Sequence, residues 1–299
     1  MVSTALRPAL ALVFNAFVWG VSWWPFRQLE GAGLHPLWAT CLIYLLAVAC
    51  ISLARPLAWR ELLTHPSLWL LVLASGTTNA AFNWAVTIGD VVRTVLLFYL
   101  MPLWAVVLAR VLLHEAYTAA ALLRVALALV GALVILWPAD GGWPVPRTLS
   151  DGLGILGGFA FALNNVLLRR EAARSSGARA LAMFAGGAAV AGVLALAVGP
   201  AGGVPSLPAV TPGWLAGALV LGVFFLLGNL ALQYGATRLP ANVTAVIMLT
   251  EVLFASGSAL VLGAGRVDAR LLLGGAAIIA AALLAAWPSS TAGAAQAAH

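Results

Sequence analysis

Apolar residues run through this chain in long stretches, and the polar residues collect in short gaps between them. Cutting at charged, Pro-rich and Gly-rich breaks leaves ten runs, roughly 9–28, 36–54, 68–88, 94–112, 120–138, 152–170, 180–198, 213–233, 243–263 and 271–287. Each is close to the ~20 residues that a helix needs to cross a hydrocarbon layer. The connections are short, so the pattern predicts helices with no separate soluble domain. The tail 291–299, TAGAAQAAH, reads as low-complexity and disordered.

The two halves of the pattern resemble each other. FVWGVSWWPFRQ (17–28) aligns with AFALNNVLLRR (160–170) at an offset of 142. NWAVTIG (83–89) aligns with NLALQYG (229–235) at 146, and YLMPLWAVVLARVLLHE (99–115) with LTEVLFASGSALVLGAG (249–265) at 150. Each half, 1–150 and 151–299, holds five crossings. Five is odd, so the second half enters the membrane from the opposite side. The expected fold is therefore an all-α integral membrane protein of ten transmembrane helices, two inverted five-helix repeats around a central cavity.

Polar residues inside the runs are expected to face that cavity. Asn79, Asn83 and Thr87 recur at i, i+4 and i+8 on one helical face, and Asn229 and Gln233 are the repeat mates of Asn83 and Thr87. Ser22 and Asn164 are mates, with Asn165 beside the latter, and Asn15, Trp19 and Ser22 form one stripe of the first run. Tyr99 precedes Pro102, which frees a backbone carbonyl in mid-run. A single such residue serves equally well as interhelical glue, about 0.6 kcal/mol per hydrogen bond. Recurrence at the same depth in both halves favours the cavity for the set.

Composition supports a lipid solvent. The 299 residues are 63% hydrophobic and 8% charged, against about 25% charged in soluble domains. The net charge of +6 comes from fifteen arginines, since lysine is absent. They stand singly in the gaps rather than in a basic patch, which excludes a nucleic-acid partner and makes them topology signals. With the N-terminus inside, ten arginines fall on the inner side and five on the outer, which places both termini in the cytoplasm. The Lys-free, Ala/Leu/Arg-rich composition points to a bacterial inner membrane. Cys41 and Cys50 share one apolar run and read as core residues.

Chemistry beyond transport finds little support. No HExxH, Cys/His cluster or paired aspartates occurs within the runs, so neither an enzyme nor a metal or other cofactor is expected. A channel would show rings of charge or repeated carbonyl filters, and neither is evident. One ionisable group stands out. Glu251 lies within the ninth run, where a charge costs about 2.5–3.5 kcal/mol.

The sequence resembles the drug/metabolite transporter superfamily, EamA type. The resemblance rests on Trp19–Gly20, on PLWAVVLARVLLHEA with Pro102 thirteen residues before Glu115, on ALALVGALVIL after it, and on LTEVLFA with Glu251 at the family's glutamate. His114 stands where the family has glycine, Val252 where it often has proline, and Gly265 where a second Gly-Glu would place its glutamate. FYLMPLW around Tyr99, with a cavity rich in Trp, Phe and Asn, is similar to YddG-type amino-acid exporters. That resemblance implies export of aromatic or other neutral amino acids by alternating access, with a broad-specificity exporter of hydrophobic metabolites or drugs as the alternative.

The arginines near helix ends agree with a neutral or zwitterionic substrate, because an anion would need cations facing the cavity. The candidate substrate-binding residues are Trp19, Ser22, Asn79, Asn83, Phe98, Tyr99, Asn164, Asn165, Asn229, Gln233 and Met248. Trp23, Trp104 and Phe161 could add aromatic surface. Glu251 either carries a coupling proton or hydrogen-bonds a neighbouring helix at the repeat interface.

Overall fold

The computed structural model describes residues 2–88, 91–116, 118–137, 146, 148–262 and 269–286. The tail 291–299, Gly265, Arg147 and Arg266 lie outside the described residues, as does the side chain of Thr87. Among the described residues the chain is all-helical. In order the helices are α1 Val2–Gly31, α2 Pro36–Ala54, α3 Leu57–Thr64, α4 Pro66–Ile88, α5 Val91–Phe98, α6 Met101–Leu113 and α7 Ala119–Leu136. Then follow α8 Leu149–Arg170, α9 Ser176–Val198, α10 Pro212–Ala236, α11 Ala241–Met248, α12 Glu251–Val261 and α13 Ala269–Ala286.

Local chemistry sets several starts. Thr148 accepts from the Asp151 N–H while Asp151 accepts from the Thr148 N–H, a reciprocal cap on α8. Thr118 caps α7 through Ala121, and Ser175 caps α9 through Ala178. Proline opens α2, α4 and α10 at positions whose N–H needs no intrahelical partner.

Among the described residues, six segments are long and apolar enough to cross a bilayer: Leu6–Gly31, Pro36–Ala54, Leu149–Arg170, Ser176–Val198, Pro212–Ala236 and Ala241–Ser258. Shorter apolar helices cover Met101–Leu113, Ala119–Val134 and Leu272–Ala281. Leu73, Val223, Leu273 and Leu283 are all more than half exposed on helix surfaces. A soluble protein would not leave so much aliphatic surface in water. Hydrocarbon accepts it without cost, so the outer faces meet lipid and the protein is a multi-pass membrane protein.

Packing crosses between the halves. α1 packs against α10, α11 and α12, while α8 packs against α4, α5 and α6. α7 pairs with α13, and α2 with α9. Close approach is made by glycines. A Cβ on Gly76 would sit 2.6 Å from the Gly186 carbonyl oxygen, and one on Gly131 would sit 2.7 Å from that of Gly274. The fully buried centre includes Leu12, Ile43, Leu71, Met101, Leu168 and Phe184.

Two features depart from the uninterrupted runs. The runs 94–112 and 243–263 are each broken, at Tyr99–Leu100 and at Leu249–Thr250. The hydrogen bonding matches at an offset of 150. Leu100 N–H donates to Leu97 O as Thr250 does to Ile247 O, and Leu103 donates to Leu100 O as Leu253 does to Thr250 O. Pro102 explains the first break by its missing N–H. At the second, Val252 replaces proline, and the Thr250 hydroxyl donating to Ile247 O (2.8 Å) supplies the competing bond. The short helix α3 falls in a gap that the pattern leaves as a connection.

Candidate functional site

Where α1, α2, α4, α8, α9 and α10 converge, they enclose a cavity. Its aromatic wall is Trp19, Tyr44, Phe161 and Phe225. Trp19 meets Phe225 edge-on at 4.7 Å, and Tyr44 meets Phe184 at 5.0 Å. Its polar wall is Ser75, Thr78 and Asn79 from α4, with Asn164 from α8 and Asn229 from α10. Among the described residues, no ionised side chain lines it. The space open to solvent centres is about 30 Å³, on the order of two or three waters.

Most of the polar wall is already engaged. The Tyr44 hydroxyl donates to Asn79 Oδ1 at 2.8 Å, and Asn79 Nδ2 donates to Ser75 O at 2.8 Å. Ser75 donates to Met183 O at 3.1 Å and Thr78 to Ala74 O at 2.7 Å. The Asn229 amide also lies 3.5 Å from the Met183 sulfur, a weak acceptor. Asn229 and Gln233 meet amide to amide at 2.7 Å. Gln233, turned so that Nε2 donates to Ser176 O and Oε1 accepts from Ala180 N, reaches α9 at 3.2 Å. Asn164 differs from these. It is 2% exposed, and its Oδ1 has no partner.

Of the residues expected from sequence, Trp19, Asn79, Asn164 and Asn229 therefore share the cavity wall. Ser22 donates to Trp19 O at 2.7 Å within its own helix. Asn83 donates to Thr40 at 2.6 Å and knits α4 to α2. Gln233 lies one turn below Asn229, and Met248 accepts from Asn15 Nδ2 at 3.4 Å. Asn165 is 1% exposed, with both amide atoms unpartnered, and does not line the cavity. Trp23 donates to Ser258 at 2.9 Å, and Trp104 packs on Phe159. Tyr44, Ser75, Thr78, Met183, Phe225 and Leu232 join the wall unforeseen. Tyr44 is the one aromatic residue in CLIYLLAVAC, but the register that turns it to the cavity is not written in one segment.

The breaks lie close by. Phe98, ending α5, stacks near Phe82 (4.8 Å) and Phe161 (5.8 Å), so it backs the aromatic wall. Tyr99, at the first break, faces Glu251, the first residue of α12, hydroxyl to carboxyl. Glu251 keeps part of its surface accessible. Gly20 lies against the Glu251 backbone, where a Cβ would come within 2.7 Å of the carbonyl oxygen.

One end of the bundle is tied shut by polar contacts. Arg169 donates to Thr237 O at 2.8 Å. Glu115, just past α6, accepts from the Ala241 N–H and faces Arg169, although burial still holds its carboxyl above the usual range. The Glu61 carboxylate accepts from the Ser175 N–H at 3.0 Å and its hydroxyl at 2.5 Å. No group of three or more His, Cys, Asp or Glu that could hold a metal occurs among the described residues.

With this geometry in hand, comparison with known proteins gives one family match, over 6–137, to the EamA-like transporter family. That match covers less than half of the chain and all of it lies in the first half. A solved crystal structure superposes with a TM-score of 0.73 over 93% of this chain and 96% of that chain, at 19% identity. That likeness shows a shared fold across both halves. No curated protein matches the chain.

Proposed function

We propose that the protein is a secondary transporter that exports neutral amino acids with aromatic or other hydrophobic side chains by alternating access. The observation that carries the reading is the cavity: aromatic rings and amides, with no ionised side chain, where helices of both halves meet. Rings offer surface to an apolar side chain, and amides offer donors and acceptors to a zwitterionic head. A cationic or acidic wall would select ions instead.

The proposed scaffold is ten crossings arranged as inverted halves, 1–150 and 151–299. Its support is the exchanged packing of α1 and α8 and the equivalent breaks at Tyr99–Leu100 and Leu249–Thr250. Discontinuous helices at corresponding positions mark substrate sites in repeat transporters. The cavity holds only a few waters, whereas ligand pockets are about 300–1,000 Å³. Substrate therefore enters when the halves rock apart, and the conformation described is the contracted one. In this reading the tied end is cytoplasmic, as the arginine balance suggests.

The test is purified protein in liposomes with a panel of radiolabelled amino acids and uncharged hydrophobic compounds. Saturable flux of phenylalanine, tryptophan or leucine supports the reading. Flux of the hydrophobic compounds alone replaces it with the broad-specificity exporter.

A further inference from the structure

Across the cavity from Asn164, the Asn79 amide has its carbonyl oxygen committed, and Asn164 does not. Asn79 Oδ1 is taken by the Tyr44 hydroxyl at 2.8 Å, and its Nδ2 by Ser75 O. The Asn229 amide meets that of Gln233 at 2.7 Å. Asn164, 98% buried by its 2% exposure, lines the same space with Oδ1 unpartnered. A buried acceptor without a donor costs about 1–3 kcal/mol, so a ligand donor placed here gains that hydrogen bond.

We infer that Asn164 Oδ1 is the acceptor for the substrate's amino group, and that Tyr44 sets selectivity by keeping Asn79 from becoming a second one. This deepens the proposed function and rests on it. The cavity then recognises the substrate unevenly. Its α8 wall takes a nitrogen donor, and its α2–α4 wall, closed by the Tyr44–Asn79 bond, offers ring surface. Tyr44 can stand there because residue 187 is glycine: a Cβ at Gly187 would fall into the Tyr44 ring. Trp19, Phe161 and Phe225 complete an apolar sleeve for the remainder of the molecule. The ligand class is a primary amine on an apolar or aromatic body. The carboxylate is secondary, since no cationic side chain lines the cavity to receive it.

The test uses the full-length protein in liposomes with labelled L-phenylalanine, competed by phenethylamine (amine kept) and 3-phenylpropionate (carboxylate kept). The wild type is expected to be inhibited by phenethylamine and not by 3-phenylpropionate. N164L should weaken phenylalanine and phenethylamine by about tenfold, the loss of one hydrogen bond from a charged donor. N164D should tighten phenethylamine, and a melting curve for each variant shows that it folds. Y44F should admit ligands carrying a second donor, such as tyramine, more readily than the wild type does. Inhibition by 3-phenylpropionate equal to that by phenethylamine, or folded N164L with unchanged competition, overturns the inference while phenylalanine transport stands. Absence of phenylalanine, tryptophan and leucine transport alike in the wild type overturns the proposed function itself, and this inference with it.

Discussion

The Tyr99 hydroxyl and the Glu251 carboxyl face each other across two helix breaks, one from each half of the chain. Tyr99 sits in the α5–α6 break and Glu251 opens α12, so their contact ties the two discontinuities into one structural unit. Removing one partner leaves the other without its contact inside the bundle. Y99F and E251Q, combined in a double-mutant cycle and read by thermal unfolding in detergent, should couple by about 0.5–1.5 kcal/mol. Additive effects would mean that the contact contributes nothing. E251Q also separates the two roles open to this carboxyl. Loss of proton-linked uptake with counterflow intact assigns it to coupling, and equal loss of both assigns it to structure.

The long helices and their ends were legible because burial in lipid demands about twenty apolar residues whatever the partner. α2 begins and ends at Pro36 and Ala54, as the run 36–54 suggests. The break at Leu249–Thr250 was harder to see, because a hydroxyl donating back to its own helix leaves no proline to mark it. Polar side chains were readable as inward-facing but not as to whom they face. Asn83 turned to Thr40 and Ser22 to its own backbone. Tyr44 was missed because its partner, Asn79, is thirty-five residues away. Only the folded register brings the two together.

His114 occupies left-handed backbone, φ +57°, where its α6 cap needs no side chain. A β-carbon there costs about 1–2 kcal/mol that glycine avoids, offset by glycine's chain entropy. H114G should raise the melting temperature, with a net gain on the order of 0.5–1 kcal/mol. A lower melting temperature would show that the imidazole makes a contact worth more than the strain.

G20A should be costly. Its new Cβ would meet the Glu251 carbonyl oxygen and Phe254 Cβ at 2.7 Å and the Ala255 nitrogen at 3.0 Å. Overpacking of this kind destabilises by about 1–3 kcal/mol, and here it also presses on the start of α12. G213A, in α10 with nothing within 4 Å, is the control and should leave melting unchanged or raise it slightly. Equal melting of the two variants would refute the close approach of α1 and α12.

The two carboxylates at the tied end should respond to pH with opposite sign. Burial alone would raise Glu61, but hydrogen bonds from Ser175, with His65 and Arg174 nearby, bring it below the usual range. Its stabilising share is present above the ordinary glutamate pKa of about 4.3 and lost as pH falls through the folded value. Burial raises Glu115 despite Arg169 and the Ala241 N–H, so its share is lost as pH rises through the interval above about 4.3. Melting curves against pH should flatten on the acid side in E61Q and above it in E115Q. No change in either slope would contradict the assignment.

The most direct test of the account is access to the cavity from both sides of the bilayer. In a protein with Cys41 and Cys50 replaced, N229C places one thiol on the cavity wall. The account predicts that a membrane-impermeant maleimide labels this thiol from either face, with L-phenylalanine protecting it. Labelling from one face alone, or only after denaturation, would contradict a site that opens alternately to the two compartments.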